Sequence, residues 1–364
     1  MRVGIVGGGQ LGRMLALAAR PLGLTVSVLD GNPDAPAAAV APLIAGDFGD
    51  RDALGQLAAV SDVVTFDFEN VPADAADWLA TRVTVRPGAH ALRVAQDRVV
   101  EKRLFADLGI PCARFAAVDD AASLADAVAD IGTPAILKTR RLGYDGKGQC
   151  VVASPADAER ARVALGGRDL ILESFVHFRR ELSIVAARGV DGAIVAYPLA
   201  ENVHRDGILR TTIAPAPESP YAADADAFVR RLLEHLDYVG VLALELFECD
   251  DGLRANEFAP RVHNSGHWSI EGAVTSQFEN HLRAVAGLPL GDPRARAHAG
   301  MVNFIGGMPD ERAVRAVPGA AWHDYGKTAR PGRKLGHATV VAADAAARDE
   351  YTQTLAALAD ASAR

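Results

Sequence analysis

The chain has 364 residues, too many for one ordinary core, so two or three packed domains are expected. With 49% hydrophobic and 23% charged residues, and no apolar run long enough to cross a bilayer, it reads as a globular protein with no membrane partner; the opening MRVGIVGGGQ is too short in its apolar part for a secretory signal. A net charge of -8 argues against nucleic acid as a general partner but leaves room for a local basic pocket, while Cys112, Cys150 and Cys249 lack metal-ligand spacing and fit the reducing cytoplasm.

Arg2 to Val6 is a short apolar run ended by three glycines, after which Leu11, Met14, Leu15, Ala18, Ala19 and Leu22 recur at helical spacing. Thr25 to Leu29, Asp62 to Phe66 and Val83 to Val85 read as further strands with helical stretches between them, which predicts an α/β layer with a mostly parallel sheet. A helix is expected over Ala89 to Leu108, stopping at Gly109 and Pro111. Strands at Ala135 to Lys138 and Cys150 to Ala153 flank a glycine-rich loop; a helix and a strand ending at Glu173 follow. Glu181 to Ala187, Ala193 to Pro198, Val241 to Glu248 and Leu253 to Phe258 continue an α+β body, interrupted by a helix near Ala222 to Leu236. After Leu290 the pattern predicts a small, loop-rich region containing the strand-like Met301 to Ile305 and the basic segment Lys327 to His337, then one helix in the Ala-rich tail from Ala342.

Gly7, Gly9 and Gly12 form GxGxxG after a strand, and Asp30 ends the second strand, where a dinucleotide-binding fold keeps its ribose carboxylate. Any ligand needing close backbone approach at a helix N-terminus selects the same glycines, and a purely structural turn does so too. Nicotinamide binding, another ligand and a plain turn all remain open on this motif.

A nucleotide constellation follows. Lys138 ends a strand, and Gly143-Tyr144-Asp145-Gly146-Lys147-Gly148-Gln149 can direct backbone N–H groups at a phosphate chain, though a flexible hairpin is the plain alternative. Glu173 ends a β-rich run and suits an adenine amine or a ribose hydroxyl, or is simply a strand-end charge. If Leu244-Glu245-Leu246 and Asn256-Glu257-Phe258 form a hairpin centred near Asp251, Glu245 and Glu257 share a face and repel unless a divalent cation lies between them. Oxygen ligands favour Mg²⁺ shared with phosphates over two solvated glutamates among apolar neighbours. Ala259 to Trp268 is polar and without apolar periodicity, so it reads as a site-forming loop in which His263 and His267 are hydrogen-bonding groups near an anion.

The order Lys138, GYDGKGQ, Glu173, Glu181, Glu245 and Asn256-Glu257 resembles that of ATP-grasp enzymes. Within them, GGGQLGRM (Gly7 to Met14), GYDGKGQ (Gly143 to Gln149), NVHRDGILR (Asn202 to Arg210), NEFAPRVHNSGHW (Asn256 to Trp268) and RPGRKLGH (Arg330 to His337) resemble the 5-(carboxyamino)imidazole ribonucleotide synthetases. The resemblance implies mixed α/β and α+β architecture: an N-terminal parallel-sheet domain (1–100), a central ATP-grasp domain (101–290) and a small C-terminal domain (291–364). It also implies a homodimer.

By position, the resemblance assigns ATP to Arg98, Lys138, Gly143, Tyr144, Asp145, Gly146, Lys147, Gly148, Gln149, Glu173, Ser174, Phe175, Val176, Glu181, His204, Asn256 and Glu257, and Mg²⁺ to Glu245 and Glu257. It assigns 5-aminoimidazole ribonucleotide to Tyr144, Asp145, Arg261, His263, Lys327 and Arg333, with Gln10 and Glu69 beside them. It implies bicarbonate as the second substrate. Lys138 would offset phosphate charge while carboxyphosphate forms, Arg261 and His263 would hold the carbonate-derived group, and Asp145 would orient the amine or take its proton. A different ATP-grasp ligase, and a dehydrogenase built on the first glycine motif, are the rival readings.

Overall fold

The computed structural model describes residues 1–143 and 147–363 in three sheets. The first is parallel, ordered β3-β2-β1-β4-β5, with β1 Arg2–Val6, β2 Thr25–Asp30, β3 Leu43–Ala45, β4 Val63–Phe66 and β5 Thr84–Val85. Helices α1 Gln10–Ala19, α2 Arg51–Ala59 and α3 Ala73–Ala80 connect them. Val3, Ile5 and Val6 are buried because both faces of a parallel sheet are covered by helices.

The predicted helix from Ala89 to Leu108 is instead two, α4 Ala89–Ala95 and α5 Arg98–Asp107. The Asp97 carboxylate accepts from the backbone N–H groups of Val99 and Val100, at 3.0 and 3.4 Å, and so starts a new helix where periodicity alone continues the old one.

The second sheet is antiparallel, ordered β6-β9-β7-β8: β6 Phe115–Val118, β7 Ala135–Thr139, β8 Gln149–Val152 and β9 Leu170–Ser174. Helices α6 Ala121–Ile131 and α7 Pro155–Ala164 cover it over a core of Leu124, Leu137, Val152 and Leu172.

The third sheet holds β10 Arg180–Arg188, β11 Ile194–Ala196, β12 Ala200–Arg205, β13 Ile208–Ala214, β14 Gly240–Cys249, β15 Gly252–Ala259, β16 His298–Ile305, β17 Ala320–Asp324 and β18 Lys334–Ala342. Its order is β15-β14-β10-β12-β13-β16-β18-β17, with β11 paired to β10. The region after Leu290 is therefore not a loop-rich appendage. Its strands extend the central sheet through β13 and β16, where Thr212 faces Met301, and the predicted tail helix covers them. The helices of this body are α8 Ala222–His235, α9 Ser269–Gly272, α10 Gln277–Val285, α11 Glu311–Arg315 and α12 Ala345–Ser362.

One apolar cluster runs from Ile5 and Leu15 through Phe278 and Leu282 to Ala243 and Met301, seating the first sheet on the third. Removing such side chains from a shared core costs about 2–5 kcal/mol each, so this seam is a fixed part of the fold. No helix among the described residues is long and apolar enough to cross a membrane.

Candidate active site

Strands β14 and β15 form the expected hairpin, and Glu245 and Glu257 are direct register partners beside a bulge. Burial, then the neighbouring Glu257 charge, push the Glu245 carboxyl up to about 7. Burial acts on Glu257 too, but the Arg98 guanidinium, 2.6 Å from its Oε2, holds that carboxyl far down. His263 Nε2 lies 3.5 Å from Glu245 Oε1, and burial followed by the Arg261 charge pushes this imidazole down to about 3. It is neutral near pH 7, a hydrogen-bonding group rather than a cation, and its Nδ1 lies 2.9 Å from Ser265 Oγ.

The second sheet faces this hairpin. Lys138 Nζ donates to Glu173 Oε2 at 3.0 Å; burial works against the Glu173 charge, but Lys102 and Lys138 hold its carboxyl below the usual range. Arg98 Nη2 reaches the Gly143 carbonyl at 3.3 Å, joining the start of the glycine-rich loop to the hairpin carboxylate. Tyr144, Asp145 and Gly146 lie outside the described residues. Gly148 has φ +72 with Thr139 Oγ1 only 2.6 Å from where a Cβ would sit, so no other residue fits there, and Gln149 opens β8 opposite Lys138. Ser174, Phe175 and Val176 begin the connection from the second sheet to the third; the Ser174 backbone pairs with Arg114 and that of Phe175 with Pro134. The Glu181 carboxylate and the His204 imidazole meet across β10 and β12, and with Asn256 and Glu245 they line one small cleft.

A second group gathers where the first sheet meets the third. Arg261 pairs with Glu69, and Lys327 donates to Gln10 Oε1, so Gln10 and Glu69 do stand beside the residues expected near them. Arg333 donates to the Thr328 carbonyl at 3.0 Å, within the same basic turn as Lys327. His267 departs from expectation. It is fully buried, tilted against Phe278 and His337 and edge-on to Tyr325, with Nδ1 3.2 Å from Gln277 Nε2, and therefore belongs to the core and not to an anion site.

The first glycine motif also resolves. The Asp67 carboxylate accepts from Gly9 and Gly12 N–H at 2.8 and 2.9 Å, and Asp30 accepts from Gly8 N–H at 2.7 Å. Gly7 has φ +110, and a Cβ on it would fall 1.5 Å from Asp67 Oδ1. The protein's own carboxylate thus occupies the N-terminus of α1, where a dinucleotide would set its pyrophosphate, and the reading of these glycines as a nicotinamide site falls.

Sequence reasoning passed over Glu101 and Lys102. With Arg98 they are spaced i, i+3 and i+4, so all three project from one face of α5 onto the edge strand β15. Glu101 Oε1 accepts from Phe258 N–H at 2.7 Å, and burial, then the Glu257 charge, push its carboxyl up to about 8. A carboxyl raised on folding costs stability as pH climbs from its ordinary range, near 4.5, to its folded value. Glu101→Gln, which still offers Phe258 an acceptor, is therefore expected to melt higher than the parent by roughly 3 °C or more at pH 8 and to converge with it near pH 5. Paired thermal melts across that range check this; a difference that shrinks as pH rises contradicts it.

The ribonucleotide synthetase pre-ATP-grasp domain family matches residues 1–96, the ATP-grasp domain family residues 103–278, and the phosphoribosylaminoimidazole carboxylase C-terminal domain family residues 299–351. The N5-carboxyaminoimidazole ribonucleotide synthase of Pseudomonas aeruginosa is 54% identical over 346 residues, covering 95% of this chain and 96% of the relative. The chain belongs to the N5-carboxyaminoimidazole ribonucleotide synthase family. The family's enzymes are ATP-grasp ligases, and the mixed three-part architecture is theirs. The synthetase structure from Thermus thermophilus superposes with TM-score 0.94 at 51% identity over 98% of each chain. That of the Aspergillus clavatus synthase in complex with ADP and 5-aminoimidazole ribonucleotide gives TM-score 0.93 at 34% identity, covering 99% of this chain and 98% of that one.

Proposed function

We propose that this chain carboxylates the exocyclic amine of 5-aminoimidazole ribonucleotide with bicarbonate, consuming ATP and giving 5-(carboxyamino)imidazole ribonucleotide, ADP and phosphate, as a step of purine biosynthesis. The observation that carries the reading is the Glu245 and Glu257 register pair, with Arg98 paired to Glu257, His263 3.5 Å from Glu245, and the Lys138 and Arg261 charges acting on Glu257. On this reading the residues assigned to ATP and those assigned to the ribonucleotide converge toward these two carboxylates.

Those carboxylates fit Mg²⁺: two oxygen donors face one another, and the like-charge penalty that raises Glu245 is what a divalent cation removes. When bound, the ion neutralises phosphate oxygens and aids transfer of the γ-phosphoryl group. Arg98 and Lys138 add fixed positive charge against the triphosphate, and Glu173 with the Ser174 to Val176 backbone receives the adenine end. The neutral imidazole of His263 and the cation of Arg261 hold the bicarbonate-derived group beside the amine; Asp145, assigned by the sequence motif alone, orients that amine or takes its proton. Boundaries near 100 and 290, a homodimer and a cytoplasmic setting accompany this reading, on the resemblance of the sequence motifs.

ADP release measured with 5-aminoimidazole ribonucleotide and bicarbonate, separately and together, tests it. Release that requires the ribonucleotide is expected; equal release with an unrelated amine or carboxylate overturns it. The basic turn adds a sharper expectation. A 5′-phosphate needs fixed cationic donors, and the Arg333 guanidinium is anchored to Thr328 within that turn. Arg333→Ala should raise the KM for the ribonucleotide at least tenfold, about 1.4 kcal/mol, with ATP affinity little changed. If Arg333→Ala and Lys327→Ala both leave that KM alone, the turn does not hold the phosphate.

A further inference from the structure

Lys102 is 1% exposed, in an interior where an ammonium is costly unless every proton finds an oxygen. It finds three oxygens from two sheets. Its Nζ donates to the carbonyls of Asn256 at 2.7 Å and Ala255 at 3.2 Å, and lies 3.6 Å from Glu173 Oε2. The carbonyls belong to the outer edge of β15, beside Glu257; Glu173 belongs to β9 in the facing sheet. Glu173 Oε2 is shared with Lys138, whereas its Oε1 is buried and makes no hydrogen bond among the described residues, an acceptor left open beside the proposed nucleotide site.

We propose that Lys102 is a positioning residue for nucleotide use, one buried cation that fixes Glu173 on the second sheet and the backbone beside Glu257 on the third in a single arrangement. It touches no substrate. Through Glu173 it sets where Oε1 points, and through the Ala255 and Asn256 carbonyls it holds the strand that aims Glu257. Without it, Glu173 keeps the Lys138 pair and the more distant Arg98 charge, Lys138 is drawn from the phosphates toward the carboxylate, and two edge carbonyls lose their donor. The inference rests on the reading of this site as the ATP site.

ADP binding by calorimetry, on the full chain between pH 5 and 8, separates the possibilities. Lys102→Met should weaken ADP at least tenfold. It should also move the acidic limb of the affinity profile up by about one pH unit, because Glu173 loses one of the three cations, Lys102, Lys138 and Arg98, that keep it ionised. Lys102→Arg keeps the charge and should leave the limb in place, while its planar fork, unable to meet three divergent oxygens, weakens ADP by roughly threefold. A folded Met variant with parental affinity, or one that melts lower with the limb unmoved, overturns the proposal. Should the Met variant not fold, an Arg variant whose limb moves overturns it. A parent protein that fails to bind ADP refutes the site reading itself, whereas a parent that binds and a Met variant that binds equally refute only the role of Lys102.

Discussion

Glu257→Gln is expected to lower the rate of ADP formation by roughly a hundredfold to a thousandfold while leaving the fold intact. The amide is isosteric, but it cannot contribute charge to a divalent cation or complete the Arg98 pair at 2.6 Å. Relieved of its neighbour's charge, the Glu245 carboxyl should come part of the way down, with burial still holding it up, so its own ionisation only partly replaces the lost charge and the paired carboxylates that make the cation trap are gone. The strand itself should stay in place, since Glu101 and Lys102 hold its backbone at Phe258, Ala255 and Asn256. Turnover measured across a range of Mg²⁺ concentrations, with a thermal melt as control, checks both halves. Near-parental activity at low Mg²⁺ would falsify the metal role of this carboxylate.

Lys138→Ala should slow turnover by roughly a hundredfold, about 2.7 kcal/mol in the barrier, and weaken ATP as well. The ammonium is mostly buried, and burial pushes it below the usual lysine range, although the Glu173 charge works the other way. A cation held in such a place is already desolvated and oriented before the phosphates arrive, which is why it is worth more there than on a surface. Single-turnover ADP formation and ATP titration read the two effects separately. Parental values in both would remove Lys138 from the site.

How much of this was legible beforehand depended on how local the signal was. The β14 and β15 hairpin was readable because Asp250-Asp251-Gly252 marks a turn and two short apolar runs flank it, which puts Glu245 near Glu257; the direct pairing needs the bulge after Glu245, since counting from Cys249 and Gly252 alone would set Glu245 against Asn256. The hairpin of β12 and β13 carries an equally local signal, Asp206-Gly207 with φ of 54 and 72, yet the polar texture of Asn202 to Arg205 hides its strands. The split between α4 and α5 turns on one side chain, Asp97, that looks like any other helical acid until it is seen capping.

The sequence by itself determined the class of the fold, the family motifs and most of the charged set, because strand alternation, helical spacing and glycine turns act over a few residues. Only the tertiary structure decided what those charges touch. It placed Asp67 on the N-terminus of α1, closing the glycine motif to a dinucleotide. It buried His267 in the core, joined the C-terminal strands to the central sheet, and brought Gln10 to Lys327 and Glu69 to Arg261. It turned Lys102, one of several basic residues on a helix, into a link between two sheets. Most of these join residues distant in the chain, 58 positions for Gly9 and Asp67 and 317 for Gln10 and Lys327, and all are set by which faces bury together, which no periodicity within a single element encodes.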